Sequence, residues 1–309
     1  MAETGSSSFP EPDLIAACTT LARADMGTQI DASEFRDKDD VLDAKIAVLA
    51  QMVQASAACC AYTGAGLSTA AGIGDYASKA KGSAAVRWDP KADDGPHMEW
   101  LKELKPTHGH RVLAGLERAG YLKQWINQNH DGLDMKATFP LDKLNQIHGS
   151  WFDARNPVVA MDGSMRKDLT RRLEEQSESA DLVLALGTSL SGLHADCVAT
   201  GAAARAASSG NGLGLVIISL TKTPLDGDAS LRIYATLDDA LQRLAEKLRL
   251  PSAMLPTDAE VDKASKRSAL WRAYATWYRD VYDAKHKRET PAKVARRAQP
   301  SNAAVAPRR

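Results

Sequence analysis

Three groups of side chains in this 309-residue chain are of types that could do chemistry. His148, in the run KLNQIHGSWF, is an imidazole beside a glycine. Its ordinary pKa near neutrality lets such a group take or give a proton at working pH. Gln128, Asn129 and Asp131 follow closely on one another before Gly132, two amides and a carboxylate delivered to one point as the chain turns. Residues 61–76, AYTGAGLSTAAGIGDY, close an apolar segment with Gly64 and Gly66. Glycine there lets backbone N–H groups approach a ligand, and a small-residue helix opening at that turn would favour an anion, a pyrophosphate above all. Gly-x-Gly-x-x-Gly would need glycine where Thr69 stands, and no ribose-binding acid follows at the usual distance.

The surrounding elements have to bring these groups together. ADLVLALGTSLSG is an apolar strand that empties into Gly187, Thr188 and Ser189, and GLVIISLTKTPLDGDASLRI is another, ending in Ser219 and Thr221. Val112, Leu113, Leu116 and Ala119 recur at helical spacing, Gly120 stops that helix, and Tyr121, Leu122, Trp125 and Ile126 enter a short strand. Leu42, Ile46, Leu49 and Val53 give an amphipathic helix before the first strand. The alternation predicts an α/β fold, a Rossmann-like parallel sheet with helices on both faces. In such open sheets ligands sit beyond the carboxyl ends of the strands, where each polar cluster falls.

The ordered motifs GAG-x-S…GI-x-D, QN-x-DG, HG, GTS and LRI, from about residue 42 to 250, resemble the sirtuins, NAD-dependent protein deacylases. PTHGHRVLAGLERAGYL is similar to their nuclear branch in particular. The resemblance implies that Ala65, Gly66 and Thr69 touch the NAD pyrophosphate and ribose, and Asp75 the nicotinamide. It puts Gln128, Asn129 and Asp131 at the nicotinamide ribose, and Gly187, Ser189, Ser219 and Leu237 at the adenosine half. Gly64, Tyr76 and Thr188 complete the implied cofactor set, with His148, Asn129 and Asp131 as the catalytic one. In the family, the acyl oxygen of an acylated lysine displaces nicotinamide from the ribose, and an imidazole then removes a ribose hydroxyl proton. Histidine suits that task.

Departures from the family pattern are as informative. Where sirtuins carry Pro-Asp-Phe-Arg after GI, this chain has Gly74-Asp75-Tyr76-Ala77, so a cation near NAD is missing unless Lys79, Lys81 or Arg87 replaces it. The histidine after QN-x-DGL is Asp134, and the adenosine-side asparagine is Ser219. Most sirtuins carry two Cys-x-x-Cys pairs between HG and GTS; here the 39 positions from His148 to Gly187 hold no cysteine. Cys18, Cys59, Cys60 and Cys197 form no such pair, which predicts a reduced small lobe without a zinc ribbon and no metal site. His97, His108 and His110 read as surface histidines rather than ligands. NPVVAMDGS, residues 156–164, is faintly similar to the family's peptide-binding strand.

Other activities compete with deacylation. Gly66-Leu67-Ser68-Thr69-Ala70 approaches a nucleophile elbow, with Ser68, Asp131 and His148 in hydrolase order. Its fifth position is alanine, however, and two strong strands follow His148. Within the family resemblance, the alternatives are a degenerate NAD or ADP-ribose binding protein, an NAD glycohydrolase and an ADP-ribosyltransferase.

Charge is balanced, 39 basic against 39 acidic residues, which argues against a wholesale polyanion binder. Neither an early apolar leader nor an 18-residue apolar run is present, so membrane spanning is not expected, and few unpatterned cysteines fit a reducing, nuclear or cytoplasmic compartment. Residues 1–40 read as a mobile arm with a short helix near Leu14–Ala24, 41–250 as the NAD-binding catalytic domain, and 251–284 as a helix bearing Trp271, Tyr274, Trp277, Tyr278 and Tyr282. The basic, Pro/Ala-rich stretch 285–309 reads as a disordered tail able to touch nucleic acid weakly. The expected partner is an acylated protein lysine, histones being one source.

Overall fold

The computed structural model describes residues 9–75, 103–150, 152–153, 155–159, 164–209 and 212–267. Its strands in chain order are β1 (Asp13–Ala16), β2 (Glu34–Arg36), β3 (Cys59–Thr63), β4 (Leu122–Asn127), β5 (Leu144–Gln146), β6 (Leu182–Leu186), β7 (Gly214–Ile218) and β8 (Leu231–Ile233). Strands β3 to β8 form one six-stranded sheet in the order β5-β4-β3-β6-β7-β8, with every neighbouring pair parallel. The apolar runs CCAYT, LVLAL and GLVII are buried from end to end, as strands covered on both faces must be. Successive side chains alternate between the two cores. Cys59 and Ala61 face one core with Leu182, Leu184 and Val216; Cys60 and Tyr62 face the other with Val183, Ala185 and Ile217.

Helices α1 (Asp39–Ala55), α2 (His108–Arg118) and α6 (Leu237–Lys247) supply the first core. Helices α4 (Lys167–Ser179) and α5 (Cys197–Ser209) cover the other face. A single turn, α3 (Leu133–Lys136), follows Gly132, and α7 (Asp258–Arg267) lies after the sheet. The stripe of α1 is the expected one, with Leu42, Ile46, Leu49 and Val53 all buried, each such side chain contributing about 1.5–3 kcal/mol. Helix α2 starts at Thr107, whose hydroxyl accepts from the His110 N–H at 3.3 Å. His110 is no surface residue: it is fully buried against Trp125, and burial pushes its imidazole down to about 3. Arg111 and Arg118 tie α7 to α2 through Asp258 (2.6 Å) and Glu260 (2.8 Å).

Two elements differ from what the sequence suggests. Residues 9–38 are not a loose arm with a helix near Leu14–Ala24; β1 and β2 pair antiparallel there, and β2 lies against the end of β7. The cause is long-range. Phe35 N donates to Leu220 O and Asp37 N to Tyr234 O, both at 2.8 Å, while the buried Asp37 carboxylate receives Lys45 at 2.7 Å. The helix expected after the first glycine turn shrinks to two 3-10 turns, Ala65–Leu67 and Thr69–Ala71; Ser68 between them donates its hydroxyl to Asp131, and Gly72 at φ +88° ends the second. Tyr76, Ala77, the aromatic residues from Trp271 onward and the basic tail lie outside the described residues.

Candidate active site

The parallel ladder continues past the strand ends, which brings the clusters to one level. Gly64 N donates to Leu186 O (3.1 Å), Gly187 N to Ile218 O (2.9 Å), Gln128 N to Thr63 O (3.0 Å) and Ser219 N to Ile233 O (3.2 Å). Strand order reverses between β3 and β6, the switch point at which open sheets bind ligands. There the two glycine turns touch. A Cβ on Gly66 would lie 2.7 Å from Gly187 Cα, a Cβ on Gly187 would lie 2.7 Å from Gly66 Cα, and Gly66 N donates to Gly187 O at 2.9 Å. Gly187 also has φ +58°, a backbone region suited to glycine.

A cavity of about 580 Å³ opens over this contact, a size usual for cofactor sites. Gly64, Ala65, Gly66 and Thr69 line it from the first turn, with Asp75 further along the chain. Gly187, Thr188 and Ser189 line it from the second. Gln128, Asn129 and His148 stand at one end, Ser219 and Leu237 at the other. Asp131 does not reach the cavity. It is buried beneath Asn129, accepting from Ser68 Oγ at 2.6 Å and Leu133 N at 2.9 Å, and burial pushes its carboxyl up. Asn129 Nδ2 in turn donates to Gly64 O (2.9 Å) and Ser68 Oγ (3.1 Å), so Asp131 positions Asn129 through Ser68. That arrangement removes the hydrolase reading: Ser68 is buried and spends its hydroxyl on Asp131.

Under the strand ends lies a polar cluster with no part of the cavity wall. Trp125 Nε1 donates to Thr63 Oγ1 (2.8 Å), and Thr63 donates to Asn127 Oδ1 (2.9 Å), which also receives the Asn129 N–H (3.0 Å). Asn127 Nδ2 and Gln146 Nε2 both donate to Asp134, at 2.8 and 3.0 Å. Burial pushes Asp134 up to about 6, with the nearby Asp131 charge adding to it. The motif position that departs from the family is thus the acceptor that pins two amides at the ends of β4 and β5.

The His148 ring lies near the Gln128 backbone, and Val159 N donates to the His148 carbonyl at 3.0 Å. Burial lowers its imidazole below the ordinary histidine range, with the Gln128 contact working the other way. Neutral at pH 7, it is free to accept a proton. His130, the variable residue of QN-x-DG, lines the cavity with its ring centroid 6.5 Å from that of His148. Burial, and then the His148 charge, lower it to about 4. Its place in the motif was the signal available for it. Arg23, Asp25 and Glu34 also line the cavity, with no motif to announce them. Two non-glycine residues beside the site take positive φ, Arg23 at 52° and Leu190 at 47°. Among the described residues no group of three or more His, Cys, Asp or Glu side chains could hold a metal ion, and no helix is long and apolar enough to cross a membrane.

A family model described as "Sir2 family" matches residues 83–158. Over 263 residues the chain is 29% identical to the NAD-dependent protein deacetylase SRT1 of Arabidopsis thaliana, covering 72% of this chain and 53% of that protein. It is 28% identical over 234 residues to an NAD-dependent protein deacetylase of Saccharolobus solfataricus, covering 61% and 91%. The chain spans about half the length of the first curated relatives it matches. A solved Sir2 complex with a p53 peptide and NAD+ superposes with TM-score 0.52 at 22% identity, covering 66% of this chain and 98% of that one, a likeness of fold. With residues of the GAG, QN, HG and GTS motifs lining one cavity of that fold, the chain belongs to the Sir2 family, the sirtuins.

Proposed function

We propose that this chain binds NAD along the cavity and uses it to remove acyl groups from lysine side chains of proteins, giving nicotinamide and O-acyl-ADP-ribose. The observation that carries the reading is that His148 and the two touching glycine turns open on the same cavity. Residues of that cavity fit a dinucleotide. Side chains are absent at Gly64, Gly66 and Gly187, where a Cβ would meet backbone, so the two turns pack directly on each other and leave the cavity above them open for a pyrophosphate. Since the first turn leads only into short 3-10 pieces, anion affinity there would come from individual N–H groups more than from a helix dipole. NAD would supply a ribose carbon activated by its bond to nicotinamide.

The chain's own residues would do the rest. Gly64 to Thr69 and Gly187 to Ser189 hold phosphates and ribose; Asp75 holds the nicotinamide; Gln128 and Asn129 orient the ribose at the reacting end. Gln128 Nε2 donates to Thr188 Oγ1 at 2.8 Å, which links the two halves of the wall. His148 removes a ribose hydroxyl proton, and Asp131 keeps Asn129 in place through Ser68. The names of the relatives support this reading. A retained, neutral imidazole with a fixed amide neighbour favours catalysis over a sensor that only binds NAD.

The substrate is taken to be an acylated protein lysine, histone tails being one source. The basic stretch 285–309 would add weak, salt-sensitive contact with nucleic acid, which suits work in the nucleus or cytoplasm. Purified protein, NAD and acylated histone peptides provide the test, read by mass spectrometry. Nicotinamide together with O-acyl-ADP-ribose is the expected result. Nicotinamide without the acylated product would point to glycohydrolysis or ADP-ribosyl transfer, and binding without turnover to a sensor.

A further inference from the structure

One wall of the cavity comes from residues that precede the sirtuin-like stretch. Arg23, Asp25 and Glu34 face it beside Ser219, Leu220 and Thr221. Main-chain contacts set the position of Glu34. It bridges Thr221, the next residue donates to Leu220 O at 2.8 Å, and Asp37 is clamped between Tyr234 N (2.9 Å) and buried Lys45 (2.7 Å). Glu34 is 2% exposed. These contacts fix the backbone at Glu34, which brings this buried residue to the cavity wall.

The chemistry at this end of the cavity is short of acceptors with reach. Ser219 Oγ and Thr221 Oγ1 lie 3.2 Å apart, two small hydroxyls that engage each other. The glycine turn is followed by no acid at the distance at which dinucleotide folds carry one for the ribose. Cations are committed to protein acceptors. Arg23 puts its fork on Asp25, at 3.0 Å from Nε and 2.8 Å from Nη2. Arg232, at the same strand ends, donates to Asp226 (2.8 Å) and Ser219 O (3.0 Å). Among the described residues lining the cavity, Arg23 faces four carboxylates, Asp25, Glu34, Asp75 and Asp238.

We infer that Glu34 accepts hydrogen bonds from the hydroxyls of the adenosine ribose and makes the cavity reject a 2′-phosphorylated nucleotide. This rests on the NAD site proposed above and adds to it the residue that selects the cofactor. The N-terminal strand pair thereby becomes part of the binding site, supplying from outside the motifs an acid that the motifs lack. A phosphate at the 2′ position would set a dianion against the buried carboxylate, and Arg23, the arginine among the described residues lining the cavity, is already engaged by Asp25.

Calorimetric titration of the full chain with ADP-ribose and with its 2′-phosphate tests this without requiring turnover. Wild type should bind ADP-ribose, and the 2′-phosphate at least about tenfold more weakly. Glu34→Ala should lose about ten- to a hundredfold in ADP-ribose affinity, the value of hydrogen bonds to a charged acceptor. Glu34→Gln keeps the shape without the charge and should narrow the preference by about tenfold or more. Circular dichroism melts show whether each variant is folded. If wild type binds neither ADP-ribose nor NAD, the cofactor reading itself falls. If wild type binds ADP-ribose and folded Glu34→Gln leaves both affinities and their ratio unchanged, the role of Glu34 is overturned while the NAD site stands.

Discussion

The contact between Gly66 and Gly187 makes a quantitative prediction. Three alanine substitutions separate its causes. Gly120 has φ +80° with nothing within 4 Å of a built Cβ, so Gly120→Ala carries only the left-handed backbone penalty, about 1–2 kcal/mol. Gly66 carries no positive φ, and its Cβ would meet Gly187 Cα at 2.7 Å and Gly187 O at 3.0 Å. Those are backbone atoms held by the Gly66–Gly187 and Gly187–Ile218 hydrogen bonds, so they cannot swing aside as a side chain would. Overpacking of this kind costs about 1–3 kcal/mol. Gly187→Ala combines both effects, φ +58° and a Cβ 2.7 Å from Gly66 Cα, for a loss on the order of 2–5 kcal/mol. Urea unfolding followed by circular dichroism gives the three losses, and titration with ADP-ribose shows whether the cradle survives. Gly120→Ala should leave binding intact, whereas Gly66→Ala and Gly187→Ala should abolish it even where the protein stays folded. If Gly66→Ala matches wild type in both midpoint and affinity, the two turns do not touch as described and the cradle is misassigned.

Other expectations concern protons and metal. His148→Ala should abolish deacylation while leaving NAD binding largely intact, and in the wild type the acid limb of kcat/KM should fall below the ordinary imidazole range, since burial lowers His148. Unchanged turnover in the variant, or a limb above pH 7, would contradict the assignment. Asp134 is raised in the folded state to about 6, so its share of stability is full below the unfolded carboxyl value and is lost as pH rises through about 6. The unfolding free energy of wild type minus that of Asp134→Asn should therefore decrease from pH 4 to pH 7; a difference that is flat or rises would refute it. Elemental analysis of the purified chain should find no stoichiometric zinc, and chelators should leave Tm unchanged, because the interval between His148 and Gly187 has no cysteine. One tightly held zinc per chain would overturn that.

Much of the site is legible in the sequence because parallel strands announce themselves. A run such as LVLALG tells both that it is buried on two faces and where it stops, and in this architecture the stop is where ligands bind. Gly64, Gly66, Gln128, Asn129, His148 and Gly187 were therefore placeable from the residues that precede them. The remainder depends on contacts between distant parts of the chain. Strand β2 is three residues long, EFR, with no periodicity to read, and its position is dictated by Leu220 and Tyr234 far along the chain. Asp131 shares a motif with Asn129, yet hydrogen bonds from Ser68 Oγ and Leu133 N hold it beneath the cavity instead of in it. His110 reads as a polar helix residue until the packing of α2 against Trp125 turns it inward.

The central strand carries two adjacent cysteines whose thiols point into different layers. Cys59 belongs to the core under α1, α2 and α6, Cys60 to the core under α4 and α5, and both are almost wholly buried. Burial pushes the Cys60 thiol up to about 12 and Cys59 well above its usual value. Only a thiolate in contact with solvent reacts with an alkylating reagent. Labelling of these two positions must therefore wait for the sheet to shed one helical layer or the other, while the half-exposed Cys18 and Cys197 mark the closed molecule. Neighbours in sequence thus serve as separate built-in probes of two opening events, each with its own free energy.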